Sequence, residues 1–281
     1  MRVGSTENWN GNHIIDWMLM NNVNKTLYIP LYGKSLVSKK KIILQDSKAE
    51  EIWEAEGFDL KGKSKSKWLA YYMGMRSAVF DEWLKMQMQK DEEAIVIHIG
   101  CGMDSRVERV GTRGHLWYDV DFPDVMAERK RYYKETTEYQ MLESDVRNEE
   151  WINLLPQDKN AIVVMEGVSM YLDLQELQGM LGKLNQRLRK VYCLIDCYTV
   201  FAAKASKYRN PINDVGVTKV YGIDNPKDLE QGTGLTFLRE HEMTPASLMN
   251  QLKGMEKHLF RKLYGGKIAE KMYRLYEYEG L

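Results

Sequence analysis

The stretch IVIHIGCGMDSRVERVG, residues 95 to 111, limits what this chain can become more than any other. A short β-branched run ending in glycine suits a strand buried on both faces. The Gly-Cys-Gly that follows suits a tight corner from strand to helix. Such a strand needs neighbours, and the downstream sequence supplies them. DSRVERV reads as the start of a helix, HLWYDVD as a second strand and FPDVMAERKRYYKE as a helix begun by proline. YQMLESDV is a third strand and NAIVVMEG a fourth, followed by the helix LDLQELQGMLGKLNQRL and the strand VYCLIDCY. LTFLREHEM and YRLYEYE add two last strands around a helix over PASLMNQLKGMEKHLFRKLY. Short apolar strands alternating with helices predict an α/β fold with a doubly wound, mostly parallel sheet.

The segment before residue 91 has a different texture. AEEIWEAEGF and KWLAYYMGMRSAVFDEWLKMQMQ set apolar groups three and four residues apart, which predicts amphipathic helices. The expected organisation is a helical N-terminal cap over residues 1–90 and a sheet domain over 91–281, packed as one compact unit. Residues 200–235, where YRNPINDVGVTKVYGIDNPKDLEQGTG is rich in Gly, Asn, Asp and Pro, are expected to form an irregular cap insertion after the fifth strand. A chain of 281 residues has room for such a domain and a sizeable core.

In an open parallel sheet, ligands bind beyond the carboxyl ends of the strands, so the glycine corner is the place to look. A phosphate-binding loop needs Gly-Lys-Ser/Thr, but Gly102 is followed by Met103 and by Asp104, which would repel a triphosphate. A dinucleotide corner needs a third glycine where Ser105 stands; that weakens this reading without excluding it. His98 and Cys101 have no second pair of ligands at metal-binding spacing and read as packed or near-site residues, so no metal is expected. Asp121 ends the second strand nineteen residues beyond Gly102, where an acid grips ribose hydroxyls. Asp119 is assigned to the opposite face of that strand. Asp145 and Glu166 put acids at the ends of the third and fourth strands. This rim opposes a polyphosphate and suits a cationic adenosine ligand such as S-adenosylmethionine.

Forty basic residues against forty acidic ones leave no net charge, and so no electrostatic case for nucleic acid or an anionic membrane surface. The basic clusters SKKK and KGKSKSK read as solvated. Three cysteines (Cys101, Cys193 and Cys197) are an odd number without framework spacing, as in a reduced intracellular protein. Neither a signal-peptide core nor an apolar run of about 18 residues is present. A cytoplasmic protein is expected.

IHIGCGMDSR, WYDVDFPDV, SDVR and VVMEGVSMYL, in that order, resemble the leucine carboxyl methyltransferase family of class I methyltransferases. Its bacterial members include polyketide and other natural-product O-methyltransferases. The likeness spans residues 95–172, with an upstream arginine in YYMGMRSAVFDEW, and is much weaker beyond residue 200. It implies a Rossmann-like fold, S-adenosylmethionine as cofactor and S-adenosylhomocysteine as product. It further implies in-line methyl transfer to a carboxylate or hydroxyl of a small molecule or peptide end. Position by position, Gly100 and Gly102 pack under the cofactor and Asp121 holds its ribose. Asp145 lies beside the adenine, with a backbone contact from Val146, and Glu166 lines the methionine end. Arg76 binds the cofactor carboxylate, and Lys34 is the nearest match to a second basic residue. Tyr171 matches a tyrosine near the methyl acceptor and, with Arg76, is the candidate catalytic residue.

Asp104 and Arg106 read as a pair bracing the turn. A carboxylate acceptor is ionised at neutral pH and needs no base, and neither His241 nor His258 stands in a catalytic-looking context. Trp9, Trp17, Trp53, Trp68, Tyr71 and Tyr72 give the cap an aromatic content that suits an apolar or aromatic acceptor. Two other readings remain open: a catalytically silent S-adenosylmethionine-binding protein, and a nicotinamide-dependent dehydrogenase, against which Ser105 counts.

Overall fold

A computed structural model describes residues 24–57, 60, 62–209 and 219–281. Trp9 and Trp17, and residues 210–218 of the insertion, lie outside the described residues.

Three helices come first: α1 (Tyr28–Lys39), α2 (Ser47–Glu56) and α3 (Lys67–Lys90). The Asp46 side chain caps α2 by accepting a hydrogen bond from Ala49 N at 2.9 Å, and Gly57 ends it in left-handed backbone. There follow β1 (Ile95–Ile99), α4 (Arg106–Val110), β2 (Trp117–Asp121), α5 (Pro123–Arg129), β3 (Tyr139–Glu143) and β4 (Asn160–Met165). After these come α6 (Leu174–Arg187), β5 (Lys190–Tyr198), α7 (Val200–Arg209), β6 (Leu235–Glu240), α8 (Ala246–Met249), α9 (Gly254–Tyr264), α10 (Lys267–Glu270) and β7 (Tyr273–Gly280).

The seven strands form one sheet in the order β3-β2-β1-β4-β5-β7-β6. The first five are parallel, as expected. β7 is antiparallel to both of its neighbours, β5 and β6. Winding reverses between β1 and β4, which opens a crevice at their carboxyl ends. β1 is apolar at nearly every position because both of its faces are covered. Val96 faces the cluster containing Phe80 and Trp83 of α3. Ile95, Ile97 and Ile99 face Leu177, Leu181 and Leu184 of α6. That apolar stripe begins at a capping box between Asp173 and Glu176.

Three expected boundaries move. α5 stops at Arg129, because the chain then tightens into turns, with Tyr132 and Tyr133 N–H both donating to Arg129 O. The helix expected over residues 245–264 is two, α8 and α9, separated by a turn that ends at Gly254 in left-handed backbone (φ +52°). The insertion expected to be irregular from residue 200 opens as the helix α7. No helix among the described residues is long and apolar enough to cross a membrane.

Candidate active site

Gly100 and Gly102 both adopt left-handed backbone, at φ +65° and +51°. A Cβ on Gly100 would come within 2.1 Å of Val168 Cγ2. Only glycine lets the corner after β1 pass this close to the turn after β4. The corner is held from below by Arg129, which is fully buried and donates to Gly102 O at 2.9 Å and Asp104 O at 2.7 Å.

Asp121 accepts hydrogen bonds from Gly102 N (2.7 Å) and Phe122 N (2.8 Å). Burial pushes its carboxyl up to about 6 against the pull of these two amides. Asp119 stands on the same face of β2 as Asp121, not the opposite one, since residues i and i+2 of a strand project to one side. Its partner separates the two. Asp119 receives Arg129 at 2.5 Å, Tyr139 Oη at 2.6 Å and Trp117 Nε1 at 2.8 Å. Burial alone would raise its pKa, but Arg129, His98 and Tyr139 hold it at about 2.

On the other side of the crevice, Arg76 donates from Nε to Glu166 (2.9 Å) and from Nη1 to Asp196 (3.0 Å). Ser77 Oγ and Arg106 Nη2 also donate to Glu166. The two arginines thereby hold the Glu166 carboxyl below its ordinary range although burial opposes them. Arg106 further donates to Asp81 (2.8 Å) and to His98 Nε2 (3.0 Å). With Nε2 accepting, His98 keeps its proton on Nδ1, 3.4 Å from Asp119; burial and the facing Arg106 lower its pKa and keep the ring neutral. Asp104 meets Arg106 as expected, and also Lys34 (3.1 Å) and Arg109 (2.6 Å).

These groups surround a cavity of about 520 Å³. Lys34, Arg76, Gly100, Gly102, Asp121, Val146, Glu166 and Tyr171 all line it. Asp145 does not: Arg147 grips its carboxylate from Nε (2.9 Å) and Nη2 (2.5 Å), and the neighbouring Ser144 and Val146 form the wall. Tyr171 closes the short turn Ser169–Tyr171, and burial pushes its phenol up. Asp196, fully buried in β5, was not singled out in the sequence. The signal was present, since VYCLIDCY carries an acid toward its carboxyl end as the other strands do. No cluster of three metal-ligating side chains occurs among the described residues.

The family profile of leucine carboxyl methyltransferase matches residues 21–185. This chain belongs to that family. It is an S-adenosylmethionine-dependent methyltransferase. It is 29% identical over 238 residues to the tetracenomycin polyketide synthesis O-methyltransferase TcmP of Streptomyces glaucescens, covering 84% of this chain and 88% of that one. It is 25% identical over 185 residues to the S-adenosyl-L-methionine-dependent methyltransferase dpfgK of Gibberella zeae, covering 60% and 61%. A crystal structure described as a methyltransferase from Thermobifida fusca shares the fold, with TM-score 0.50 and 11% identity over 78% of this chain and 89% of that one. The cavity suits the cofactor. A glycine corner donates from Gly102 N to Asp121, an acid with no cation at ion-pair distance among the described residues, and Arg76 and Lys34 line the same cavity.

Proposed function

We propose that this methyltransferase transfers its methyl group to an oxygen that arrives already ionised, a carboxylate on a small apolar molecule. The observation that carries the reading is the state of the ionisable groups lining the cavity. Asp104 and Glu166 are locked to arginines, and His98 is neutral with Nε2 occupied. The phenols of Tyr72, Tyr171 and Tyr273 are pushed upward by burial, so they stay protonated. Asp121, raised to about 6, is committed to the amides of Gly102 and Phe122 and to the cofactor ribose, and none of the others can take a proton from a neutral acceptor at pH 7.

S-Adenosylmethionine, when bound, supplies a methyl carbon already activated on a sulfonium. The protein's part is binding, alignment and exclusion of water. Gly100 and Gly102 leave room for the cofactor, and Asp121 accepts from its ribose hydroxyls. The Ser144–Val146 segment borders the adenine. Arg76, held in place by Glu166 and Asp196, and Lys34 hold the cofactor carboxylate; Tyr171 borders the acceptor. The N-terminal helices and α7 form the described part of the cover over the open end of the sheet and choose the acceptor. The relative TcmP, named as an O-methyltransferase, supports oxygen as the target.

The test is turnover with S-adenosylmethionine and paired acceptors, 2-naphthoate and 2-naphthol, following S-adenosylhomocysteine release and methylated product. The expected result is methyl 2-naphthoate at a rate that stays level from pH 7 to 9. Methylation of the naphthol alone, at a rate climbing toward the pKa of a phenol, would overturn the reading.

A further inference from the structure

Two lining residues carry a buried polar atom without a hydrogen-bond partner among the described residues: His98 at Nδ1 and Tyr72 at Oη. His98 Nδ1 at least has Asp119 at 3.4 Å. Tyr72 has nothing comparable, although its side chain is almost wholly buried. Burying a hydroxyl unpaired is unfavourable, so a ligand is the natural partner for one that faces a cavity.

Tyr72 stands four residues before Arg76 on α3, hence on the same face one turn away. Of the Arg76 donors, Nε and Nη1 are engaged, while Nη2 has no partner among the described residues. The Tyr72 ring is fixed by Tyr264 and Tyr273, with centroids 5.3 and 5.7 Å away. Burial raises its pKa despite the nearby Arg76, so the hydroxyl remains a donor.

Where the neighbours come from indicates which ligand is met. The groups assigned to the cofactor lie within residues 21–185, the span shared with the family. Tyr264 and Tyr273, which position Tyr72, lie beyond it, as do Tyr198 and Met272 in the same wall. A wall built from residues outside that span is the part of the cavity that the assigned cofactor groups leave to the acceptor. Among the described residues beyond 185 which line the cavity, none carries a charge.

We propose that the Tyr72 hydroxyl docks the methyl acceptor, donating a hydrogen bond to the carboxylate oxygen that is not methylated. The acceptor class is a flat, apolar carboxylic acid with no second charge. This rests on the reading of the acceptor as a carboxylate.

The experiment compares wild type with Tyr72→Phe, which removes the hydroxyl and keeps the ring. The variant should melt at the same temperature or higher, because no protein partner is lost. Both proteins should bind S-adenosylhomocysteine and 5′-methylthioadenosine, which lacks the amino-acid part, within twofold of each other. When 2-naphthoate is titrated into protein saturated with S-adenosylhomocysteine, the variant should bind about tenfold more weakly, as for one lost hydrogen bond to a charged group. 2-Methylnaphthalene should bind both equally. Loss of S-adenosylhomocysteine affinity with 5′-methylthioadenosine unaffected would hand the hydroxyl to the cofactor and overturn the proposal. So would a drop in melting temperature, equal affinity of both proteins for 2-naphthoate, or no binding of 2-naphthoate to the wild-type complex. Equal binding and methylation of 2-naphthoate by both proteins would sink Tyr72 alone and leave the carboxylate reading standing.

Discussion

Two aspartates two residues apart on β2 are driven in opposite directions by their partners. Asp119 has a buried arginine; Asp121 has backbone amides and no cation at ion-pair distance among the described residues. The unneutralised acid is the one free to accept from a ligand. Replacing Asp121 with alanine should cost about 1.5–3 kcal/mol of cofactor affinity, the usual range for a lost hydrogen bond to a charged group. Calorimetric titration of S-adenosylhomocysteine measures this directly, and an unchanged dissociation constant would remove Asp121 from the site. The same carboxyl sets a pH dependence. Its pKa is raised to about 6, so the ionised, accepting form is complete above that value and is lost below it. Affinity should be level from pH 7 to 8 and fall by up to about tenfold per unit below pH 6. Spacing from Gly102 was enough to find Asp121 in the sequence. The arginine that neutralises Asp119 was out of reach, because Arg129 meets it only once α5 folds back over the strand. Asp196 was missed for a different reason: its acid lies inside an otherwise apolar run, and its partner Arg76 is 120 residues away.

The corner between β1 and α4 is where local backbone and distant packing meet. Gly100 and Gly102 share a left-handed conformation, yet they differ in what a side chain would strike. Gly102→Ala would bring its Cβ to 3.4 Å from Leu27 Cβ, an ordinary contact, so the cost should be the backbone strain of about 1–2 kcal/mol. Gly100→Ala adds a collision with Val168 and should be distinctly more destabilising, by denaturant titration, than its neighbour. Equal losses would mean that the two turns are not in contact. Arg106, at the start of α4, ties that helix to α3 through Asp81 and to the end of β4 through Glu166. Arg106→Met should cost about 3–5 kcal/mol, the range for leaving buried partner charges uncompensated. The strands themselves were readable because β-branched runs bounded by glycine and acids admit few alternatives. Helix ends were harder to read: α5 stops in turns closed by backbone hydrogen bonds to Arg129 O, and the break between α8 and α9 is marked by Gly254 alone within an otherwise helical pattern.

Across the molecule, five buried carboxyls around the cavity fall into two opposed groups, and together they shape stability against pH. Asp121 and Asp196 are raised to about 6, so their contribution is fully present below the ordinary carboxyl value near 4 and is lost as pH rises through 6. Asp119, Glu166 and Asp104 are depressed, so theirs is present above about 4 and is lost as pH falls toward 2. The ligand-free protein should therefore be most resistant to urea near pH 4 and lose resistance as pH rises toward 6. Saturating S-adenosylhomocysteine should move that optimum upward, because the cofactor binds the ionised Asp121. A midpoint that climbs steadily to pH 8 without cofactor would contradict this balance. The order of the strands has a consequence for how the protein is made. β6 pairs with nothing but β7, and β7 also covers the outer edge of β5. Until residues 273–280 leave the ribosome, a growing chain carries five parallel strands with the β5 edge uncovered as well as the β3 edge, and β6 has no described strand to pair with. The described sheet is completed by insertion of β7 between two strands made before it, and that interval is when a nascent copy is most open to pairing with another.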